Sequence, residues 1–412
     1  MRVAMDKIAG NVGNSNLDAG NAVPFSTRED SPEIANLRTK VRGVLRDLVT
    51  PERLIKHDEE EVYDVELFEA LAAEGLVGLG TEIDGAGPKH ARQVTVLEEL
   101  GAGATSMAVS MVVQYMGVEL LHRYGSARQK AEWLAPLLTG SARMSFGLSE
   151  PAGGTDVARQ MATTASQRSD GSWVINGAKK WIGGASTATF IILLARTEPV
   201  DKRVIDGITM FIVPRDTPGI TTTPIDTMGI RALEQADVVL NDVVVPQESV
   251  LGEVGKGFRS VLATLNGERL NGAAVALGIA RGALAYAVDY ANERHAFDRP
   301  IGSFQGLQHP MVDALTRVES ARHLVYNGAE MSDQGSGEAV ENLSGLAKLA
   351  AAEAATTATD VGMRVMGGWG FHRHLPMQRY FRDARLYTFA PLTDEMIRNQ
   401  LAQRHLGLPR ST

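Results

Sequence analysis

The chain has 412 residues, 44% of them hydrophobic, which is enough for two or three domains with substantial apolar cores. It contains no cysteine, so disulfides, thiolate catalysis and cysteine-ligated metal centres are excluded. The net charge of -8 argues against binding along a nucleic-acid backbone, and we expect no nucleic-acid partner.

The beginning of the chain indicates neither a secretion signal nor a membrane anchor. Residues 1–30 are rich in Gly, Asn, Asp and Ser, which is typical of a flexible tail. They contain no apolar core segment. The longest apolar run, residues 190–195 with its flanks, is too short to span a bilayer. We therefore expect a soluble, cytoplasmic protein that does not insert into membranes.

Residues 31–142 are predicted to form an N-terminal α-helical domain. Ser31-Pro32-Glu33 has the pattern of an N-cap followed by proline at the first helical position. Apolar residues then recur at helical spacing, interrupted by the Gly/Pro-rich residues 85–88. The predicted helices cover residues 34–49, 65–74, 91–100, 105–124 and 127–138.

Residues 143–253 are predicted to form a middle antiparallel β domain. Short runs rich in β-branched and aromatic residues replace the helical period there. Asn176-Gly177 and residues 214–216 have the composition of turns between strands. The predicted strands cover residues 172–175, 189–195, 209–213 and 237–245.

Residues 254–412 are predicted to form a C-terminal helical bundle, which makes the chain an α+β multidomain protein. A long Ala-rich helical pattern starts at residue 265, breaks at Arg299-Pro300 and resumes after Ser303, whose hydroxyl suits an N-cap. Glu268 stands near its beginning among small and apolar residues. Such an acid is either a solvated residue of the first turn or a functional group, and the spacing alone leaves both interpretations open.

The glycine-rich segments and the histidines do not indicate a nucleotide loop or a metal site. Residues 252–257 lack the spacing and the Ser/Thr of a phosphate-binding loop, and Gly367-Gly368-Trp369-Gly370 does not follow a strand. Both are more simply tight turns or close helix approaches. The nine histidines show no ligand spacing, so we predict no metal site.

Two stretches of the middle region are suited to holding a cofactor. In residues 145–156, backbone N–H groups and hydroxyls of a small-residue loop could bind a phosphate or a ring edge, although an ordinary loop has the same composition. Trp181 is by default a core residue, but beside Gly183 and Gly184 it could instead cover a flat cofactor.

Several motifs, in a fixed order, resemble the acyl-CoA dehydrogenase family over nearly the whole chain from about residue 31. They are residues 146–156, Asn176-Gly177-x-Lys179-x-Trp181-Ile182, residues 228–231, residues 245–258, Glu293-Arg294-x-x-Phe297, Phe304-Gln305-x-x-Gln308, residues 367–371 and residues 382–385. The resemblance implies a helical domain, a β domain and a helical bundle. It also implies bound FAD shared across a subunit interface, and a homotetramer or a dimer.

The resemblance further implies oxidation of an acyl-CoA thioester to its 2,3-enoyl form. A carboxylate removes the α proton while a hydride passes to flavin N5. Many members carry this Glu in a loop near the C-terminus, where Pro391 stands here. The isovaleryl-CoA and long-chain dehydrogenases carry it on the long helix before an Arg, as in Glu268-Arg269. Glu268 is therefore the predicted base, Arg269 a substrate contact, and Glu395 and Asp394 are the alternatives.

The resemblance also implies a set of FAD contacts. Gly183 replaces a residue with a hydroxyl near N5, Arg364 stands where a Gln is common, and Asp298 replaces a Gly. The first departure favours an alternative function as an oxidase or monooxygenase, and Pro391 favours a catalytically silent relative. An electron-transfer flavoprotein is the expected acceptor, and the acyl carrier is either coenzyme A or a carrier protein. The predicted FAD contacts are Phe146, Leu148, Ser149, Thr155, Trp181, Gly183, Arg294, Phe297, Gln305, Arg364, Gly367, Gly368 and Thr393.

Overall fold

The computed structural model describes residues 26–79, 90–200, 203–335 and 337–410. Residues 1–25 of the predicted tail lie outside the described residues, but residues 26–30 lie against the helices. The backbone N–H of Thr27 donates to Glu319 Oε2 at 2.6 Å. Arg38 Nε donates to Asp30 Oδ2 at 2.8 Å.

The N-terminal part is helical, as predicted. Ser31 caps the first helix by accepting from the Ile34 N–H, and Pro32 is its first residue. The second helix was not predicted, because it is short and none of its side chains is fully buried, although Leu54 packs against the core. The helices are α1 (Pro32–Leu48), α2 (Pro51–Glu60), α3 (Val65–Ala73), α4 (His90–Gly103), α5 (Thr105–Tyr124), α6 (Ala127–Gln129) and α7 (Ala135–Thr139), with a π turn at Lys130–Leu134.

The middle part is a twisted sheet on which a short helix, α8 (Val157–Gln160), is inserted. Among the described residues the sheet has eight strands in the order β6-β7-β3-β2-β4-β5-β8, with β1 beside β4. The strands are β1 (Met144–Gly147), β2 (Thr164–Gln167), β3 (Trp173–Gly183), β4 (Phe190–Arg196), β5 (Ile208–Pro214), β6 (Ile220–Ile225), β7 (Gln235–Val245) and β8 (Val250–Leu251).

Most strand pairs are antiparallel, as predicted, but β4 pairs in parallel with β1 and β2. β4 is buried at every position except its last, which is the pattern of a central strand covered on both faces. A strand buried on both faces does not alternate apolar and polar residues, so a search for that alternation does not reveal its parallel partners.

Asn176-Gly177 does not form the predicted turn, because it lies inside β3 at a β-bulge. The register between β3 and β7 shifts between Ile175 and Gly177. Gly177 has φ +148°, and a Cβ there would meet Thr163 Cα at 2.6 Å. The Asn176 side chain bonds Asp242 on the next strand, donating to its carboxylate and accepting its N–H. Asn-Gly here serves a bulge rather than a hairpin.

The C-terminal part is a helical bundle around one long central helix, α10. The close approach of α10 to α4 needs glycine, since a Cβ on Gly278 would lie 2.2 Å from the Glu98 carbonyl oxygen. The helices are α9 (Gly257–Leu262), α10 (Leu265–Glu293), α11 (Gln305–Gln334), α12 (Glu338–Met366), α13 (Pro376–Ala384) and α14 (Asp394–Arg404). α10 is long and apolar enough to cross a membrane by length and composition alone, but most of it is buried among the other helices, as in a core helix.

The break between α10 and α11 is a small hairpin, β9 (His295–Ala296) with β10 (Arg299–Pro300). Its two loop residues, Phe297 and Asp298, both have positive φ. Ser303 is not the N-cap of α11, contrary to the prediction. Its hydroxyl donates to the Pro300 carbonyl at 2.7 Å, and Phe304 occupies the cap position. A 3-10 turn over Ile301–Ser303 moves the start of the helix.

Two of the sequence motifs, residues 228–231 and residues 382–385, meet where the sheet contacts the bundle. The Asp383 carboxylate accepts the Ile230 N–H at 2.7 Å, and Arg382 donates to the Met228 carbonyl at 2.6 Å. A Cβ on Gly229 would lie 2.8 Å from Asp383 Oδ1. These motifs therefore join two parts of the fold.

Candidate active site

Glu268 lies in the first turn of the central helix α10, where the helix begins beside the N-terminal helices. Its backbone N–H donates to the Thr264 carbonyl at 3.2 Å, and its side chain is half-buried. Burial raises the pKa of Glu268 to about 7, the nearby Arg269 opposes the rise, and Glu119 adds to it. A carboxylate with this pKa can accept a proton near neutral pH.

The face of α10 that carries Glu268 points toward the C-terminal loop. Gly272 lies one turn further along the helix, on nearly the same face. A Cβ there would lie 3.1 Å from Pro391 Cδ and 3.8 Å from Tyr387 Cε1. Pro391, which has no acidic group, therefore lies opposite the helix turn that follows Glu268. We call the space between this face of α10 and the C-terminal loop the cleft.

The two alternative acids are placed differently from Glu268. Asp394 forms an ion pair with the buried Lys348. The Glu395 side chain is largely exposed, and its nearest cation is Arg398 at 3.8 Å. Asp394 is thus engaged by a cation and Glu395 faces solvent, whereas Glu268 is half-buried and forms no ion pair with these residues.

Arg269 lies on the wall of a cavity of about 1280 Å³ at the beginning of α10. Its Nη2 donates to Gln400 Oε1 at 2.9 Å, while its buried Nε has no hydrogen-bond partner among the described residues. Burial lowers the pKa of Arg269, and the carboxylates of Glu341 and Glu268 oppose that change. The wall also includes Leu265, Asn266, Leu392, Met396 and Arg404. A ligand in this cavity would therefore contact Arg269, whereas Glu268 is not part of the cavity wall and faces about 100° away on the helix.

Five of the predicted FAD contacts come together where β1 approaches β3. They are joined by the Lys180 N–H, which donates to the Ser149 carbonyl at 2.9 Å, and by the Ser145 hydroxyl, which donates to the Gly183 carbonyl at 2.7 Å. Gly147 has no side chain, and a Cβ there would touch Lys179 Cγ at 3.5 Å. The five residues are Phe146, Leu148, Ser149, Trp181 and Gly183.

Trp181 is the exposed aromatic surface of this group. It is 55% exposed, lies at a second register shift of β3 and has φ +62°, a conformation that bulky residues rarely adopt. The Lys180 ammonium lies 4.9 Å from the ring centroid. An exposed ring turned outward by a strained strand fits a site for a flat cofactor. Thr155 is also exposed, in the turn before α8.

Six further predicted FAD contacts lie far from Glu268 within one chain. Arg294 follows the last residue of α10, about 40 Å along the helix from Glu268. α12 runs alongside α10 in the same direction, since Ser344 bonds Asn266 near the start of both helices. The far ends of α10 and α12 and the following turns carry Arg294, Phe297, Gln305, Arg364, Gly367 and Gly368, all of them exposed.

Thr393 is the N-cap of α14, and its hydroxyl accepts the Met396 N–H at 3.3 Å. This capping role accounts for a threonine at the position without a cofactor. Its predicted contact with FAD stays a prediction.

Sequence reasoning missed three residues beside the candidate base Glu268, namely Glu119, Arg123 and His90. Glu119 is buried in α5 and pairs with Arg123, whose Nη2 lies 2.7 Å from Glu119 Oε1. His90, at the start of α4, is also buried. Glu119 was detectable by the same signal as Glu268, because it is a lone acid within an apolar helical pattern.

Family models match the chain in three consecutive pieces. They are the acyl-CoA dehydrogenase N-terminal domain over residues 31–141, the middle domain over residues 145–243, and the C-terminal domain over residues 255–406. Together they cover most of the chain.

Individual proteins are similar over almost their whole length. The short-chain specific acyl-CoA dehydrogenase of Rattus norvegicus is 35% identical over 390 residues, which is 92% of this chain and 93% of that protein. The structure of butyryl-CoA dehydrogenase from Megasphaera elsdenii has a TM-score of 0.84 at 30% identity, covering 90% of this chain and 97% of that one. The prolyl acyl carrier protein oxidase AnaB also has a TM-score of 0.84, at 26% identity, with 92% and 100% covered.

Proposed function

The chain belongs to the acyl-CoA dehydrogenase family, and from this premise we propose that it oxidises an acyl thioester to its 2,3-enoyl form with Glu268 as the base. The observation that carries the proposal is the half-buried Glu268, whose pKa of about 7 is suited to proton abstraction. Coenzyme A is the proposed carrier, and a carrier protein is the alternative.

The residues around the cleft support this chemistry. Glu268 removes the proton from the carbon next to the thioester carbonyl, and the surrounding helices limit the access of water. Arg269, on the cavity wall, binds and orients the thioester-bearing molecule. Pro391, facing the next helix turn, contributes shape but no proton acceptor.

FAD is the proposed cofactor, and the structure has features that fit it. The exposed, strained Trp181 beside Ser149 and Gly183 would cover the ring system, while Phe146 and Leu148 would line its edge. The cofactor, when bound, accepts the β hydrogen as hydride. Arg294, Phe297, Gln305, Arg364, Gly367 and Gly368 lie on the bundle at the end of α10 away from Glu268, and we propose that they contact the FAD of a second copy in a homotetramer or dimer.

The experiment that tests this function is anaerobic bleaching of the purified flavoprotein by short, branched and long acyl-CoAs. We expect one class to bleach the flavin rapidly. Glu268→Gln should retain FAD and lose at least about 10³-fold in the bleaching rate, because general-base catalysis contributes on this scale. The matched control is Glu132→Gln, which removes an exposed acid that pairs with Arg128. Near wild-type bleaching by the Glu268 variant would rule out this base.

A second candidate function is an oxidase on the same fold, and Gly183 favours it. A Cβ on Gly183 would lie 3.4 Å from Gln235 Nε2, so the position has room for the hydroxyl-bearing residue that the family usually has. The structural similarity to AnaB, an oxidase, points the same way. Admitting oxygen after bleaching separates the two functions. Rapid recovery of the colour indicates an oxidase, and slow recovery indicates a dehydrogenase that uses an electron-transfer flavoprotein.

A further inference from the structure

A second carboxylate lies beside the turn of α10 that carries Glu268. Glu119 Oε2 is 3.4 Å from the point where a Cβ on Gly267 would lie, and Gly267 immediately precedes Glu268. His90 Nε2 lies 2.5 Å from the same point. Only glycine at position 267 allows both side chains to approach the helix so closely.

The faces of α10 explain how Glu119 reaches Glu268. Successive helix residues are turned by about 100°. Gly267 and Asn271 face the N-terminal helices, where the Asn271 amide donates to Gln93 on α4 at 3.1 Å. Glu268 lies about 100° further round the helix than Gly267, between the face toward the N-terminal helices and the face toward Pro391. The cleft at Glu268 therefore has Glu119 on one side and the C-terminal loop on the other.

Glu119 is held by charged neighbours on two elements. Arg123, one turn along α5, contacts its Oε1, and His90 of α4 lies on the other side. Both lower its pKa, although burial has the larger effect and raises it overall. His90 is itself fixed by α11, since its Nδ1 lies 3.0 Å from Ser332 Oγ and its backbone N–H donates to Asp333.

The charged groups around Glu268 are few. Arg269 is the cation that favours its ionised form, and Glu119 is the anion that disfavours it. Tyr387, across the cleft, is buried, and burial keeps its phenol neutral by raising its pKa. Arg123 and His90 partly balance the charge of Glu119, and the charge that remains raises the pKa of Glu268 in this half-buried site.

We propose that Glu119 is a positioning residue for Glu268: its buried carboxylate, held by Arg123, keeps a negative charge beside the base and makes it a stronger proton acceptor. The inference rests on the proposed role of Glu268. An α proton next to a thioester is weakly acidic, so a base with a higher proton affinity removes it faster. The simpler interpretation is that Glu119 only pairs with Arg123 and His90 and stabilises the fold.

The test is a pH titration of the Glu268 carboxyl by infrared difference spectroscopy of the FAD-loaded protein. The protonated carboxyl band of Glu268 is isolated by subtracting the spectrum of Glu268→Gln, in the wild-type and in the Glu119→Gln background. We expect Glu119→Gln to move the midpoint down by about one pH unit, because a like charge has been removed. The acid limb of substrate-dependent bleaching should move by the same amount. Glu132→Gln, the exposed control, should move neither.

The outcomes separate this inference from the proposed function. An unchanged Glu268 midpoint in Glu119→Gln overturns the inference, whatever the effect on stability. If Glu268→Gln still bleaches normally, the proposed function fails, while the infrared midpoint still reports whether the two carboxyls interact. If Glu119→Gln does not fold, Glu119→Met replaces it, because methionine removes the same charge with a side chain of similar length that suits a buried position. The Glu268 midpoint should again fall, and an unchanged midpoint would overturn the inference.

Discussion

At the residue scale, the ionised form of Glu268 is predicted to lower the stability of the fold. Its pKa rises from the ordinary value of 4.5 to about 7 in the folded protein. The folded state thus binds the proton more tightly, and stability falls as the pH rises through this window. We expect Glu268→Gln to raise the free energy of unfolding by about 2 kcal/mol near pH 8 and to change it little near pH 5.

Thermal unfolding of both proteins at the two pH values measures this difference without any substrate. Glu132→Gln serves as the control, since that acid is exposed and its partner Arg128 lies 3.6 Å away. Its effect should be small at both pH values. A stabilisation by Glu268→Gln that is equal at the two pH values would contradict the raised pKa.

At the scale of elements, α4 joins the N-terminal helices to the bundle through buried charges. The Glu98 carboxylate accepts from Arg322 Nη2 at 3.0 Å and from Arg38 Nη1 at 3.1 Å, and all three side chains are buried. Arg281 of α10 donates to Glu99 Oε2 at 2.9 Å. Four elements of the fold therefore meet at two adjacent acids of one helix.

Glu98→Gln should destabilise the protein strongly, because it leaves buried guanidinium groups without a full counter-charge. We expect a loss of about 3–5 kcal/mol in the free energy of unfolding, measured with denaturant. Glu353→Gln is the comparison, since Glu353 is exposed and pairs with Arg317 at 3.1 Å. That variant should lose less than about 1 kcal/mol. Similar losses in the two variants would mean that the buried network contributes little to stability.

The sequence predicted the order of helices, strands and helices, because apolar periodicity is a local property of the chain. It did not predict α2, a short helix with no fully buried side chain, or the bulge at Asn176-Gly177, whose composition equals that of a turn. Ser303 failed as a cap because the hairpin before it, not its own hydroxyl, determines where α11 begins. Such features depend on contacts between distant parts of the chain.

The same limit applies to the candidate site. Glu268 was detectable as a lone acid in an apolar helix, and its motif singled it out. Glu119 showed the same pattern, but only the fold brings it next to Gly267. The contact between Asp383 and Ile230 likewise joins motifs 153 residues apart, so the sequence indicated both motifs without showing that they form one structural link.

At the scale of the whole molecule, the predicted FAD contacts form two groups on different parts of the fold. The group around Trp181 lies on the sheet, and the group around Arg294 lies at the far end of the bundle. Because Arg294 lies about 40 Å along α10 from the candidate base Glu268, we propose that the Arg294 group serves the FAD of a second copy. A second copy that brings its far end to this sheet would complete the site.

Large exposed aromatic residues at the far end are consistent with such an assembly. Phe297 is 88% exposed at the tip of the β9–β10 hairpin, and Phe371 is 81% exposed beyond α12. Exposed aromatic side chains of this size are typical of residues that another molecule covers. We therefore expect both the proposed homotetramer and the retention of FAD to depend on this end of the bundle.

Phe297→Asp should disrupt both properties together, because it places a charge where we expect an apolar contact. We expect a smaller oligomer by light scattering and a loss of FAD affinity of about tenfold or more, measured by flavin absorbance after dilution. Val62→Asp is the control, since Val62 is 49% exposed and lies away from both groups along the chain. If Phe297→Asp dissociates the assembly but retains FAD, each subunit binds its cofactor alone and the far group has another role. A monomeric wild-type protein that retains FAD would lead to the same conclusion, because no second copy would then be needed to complete the site.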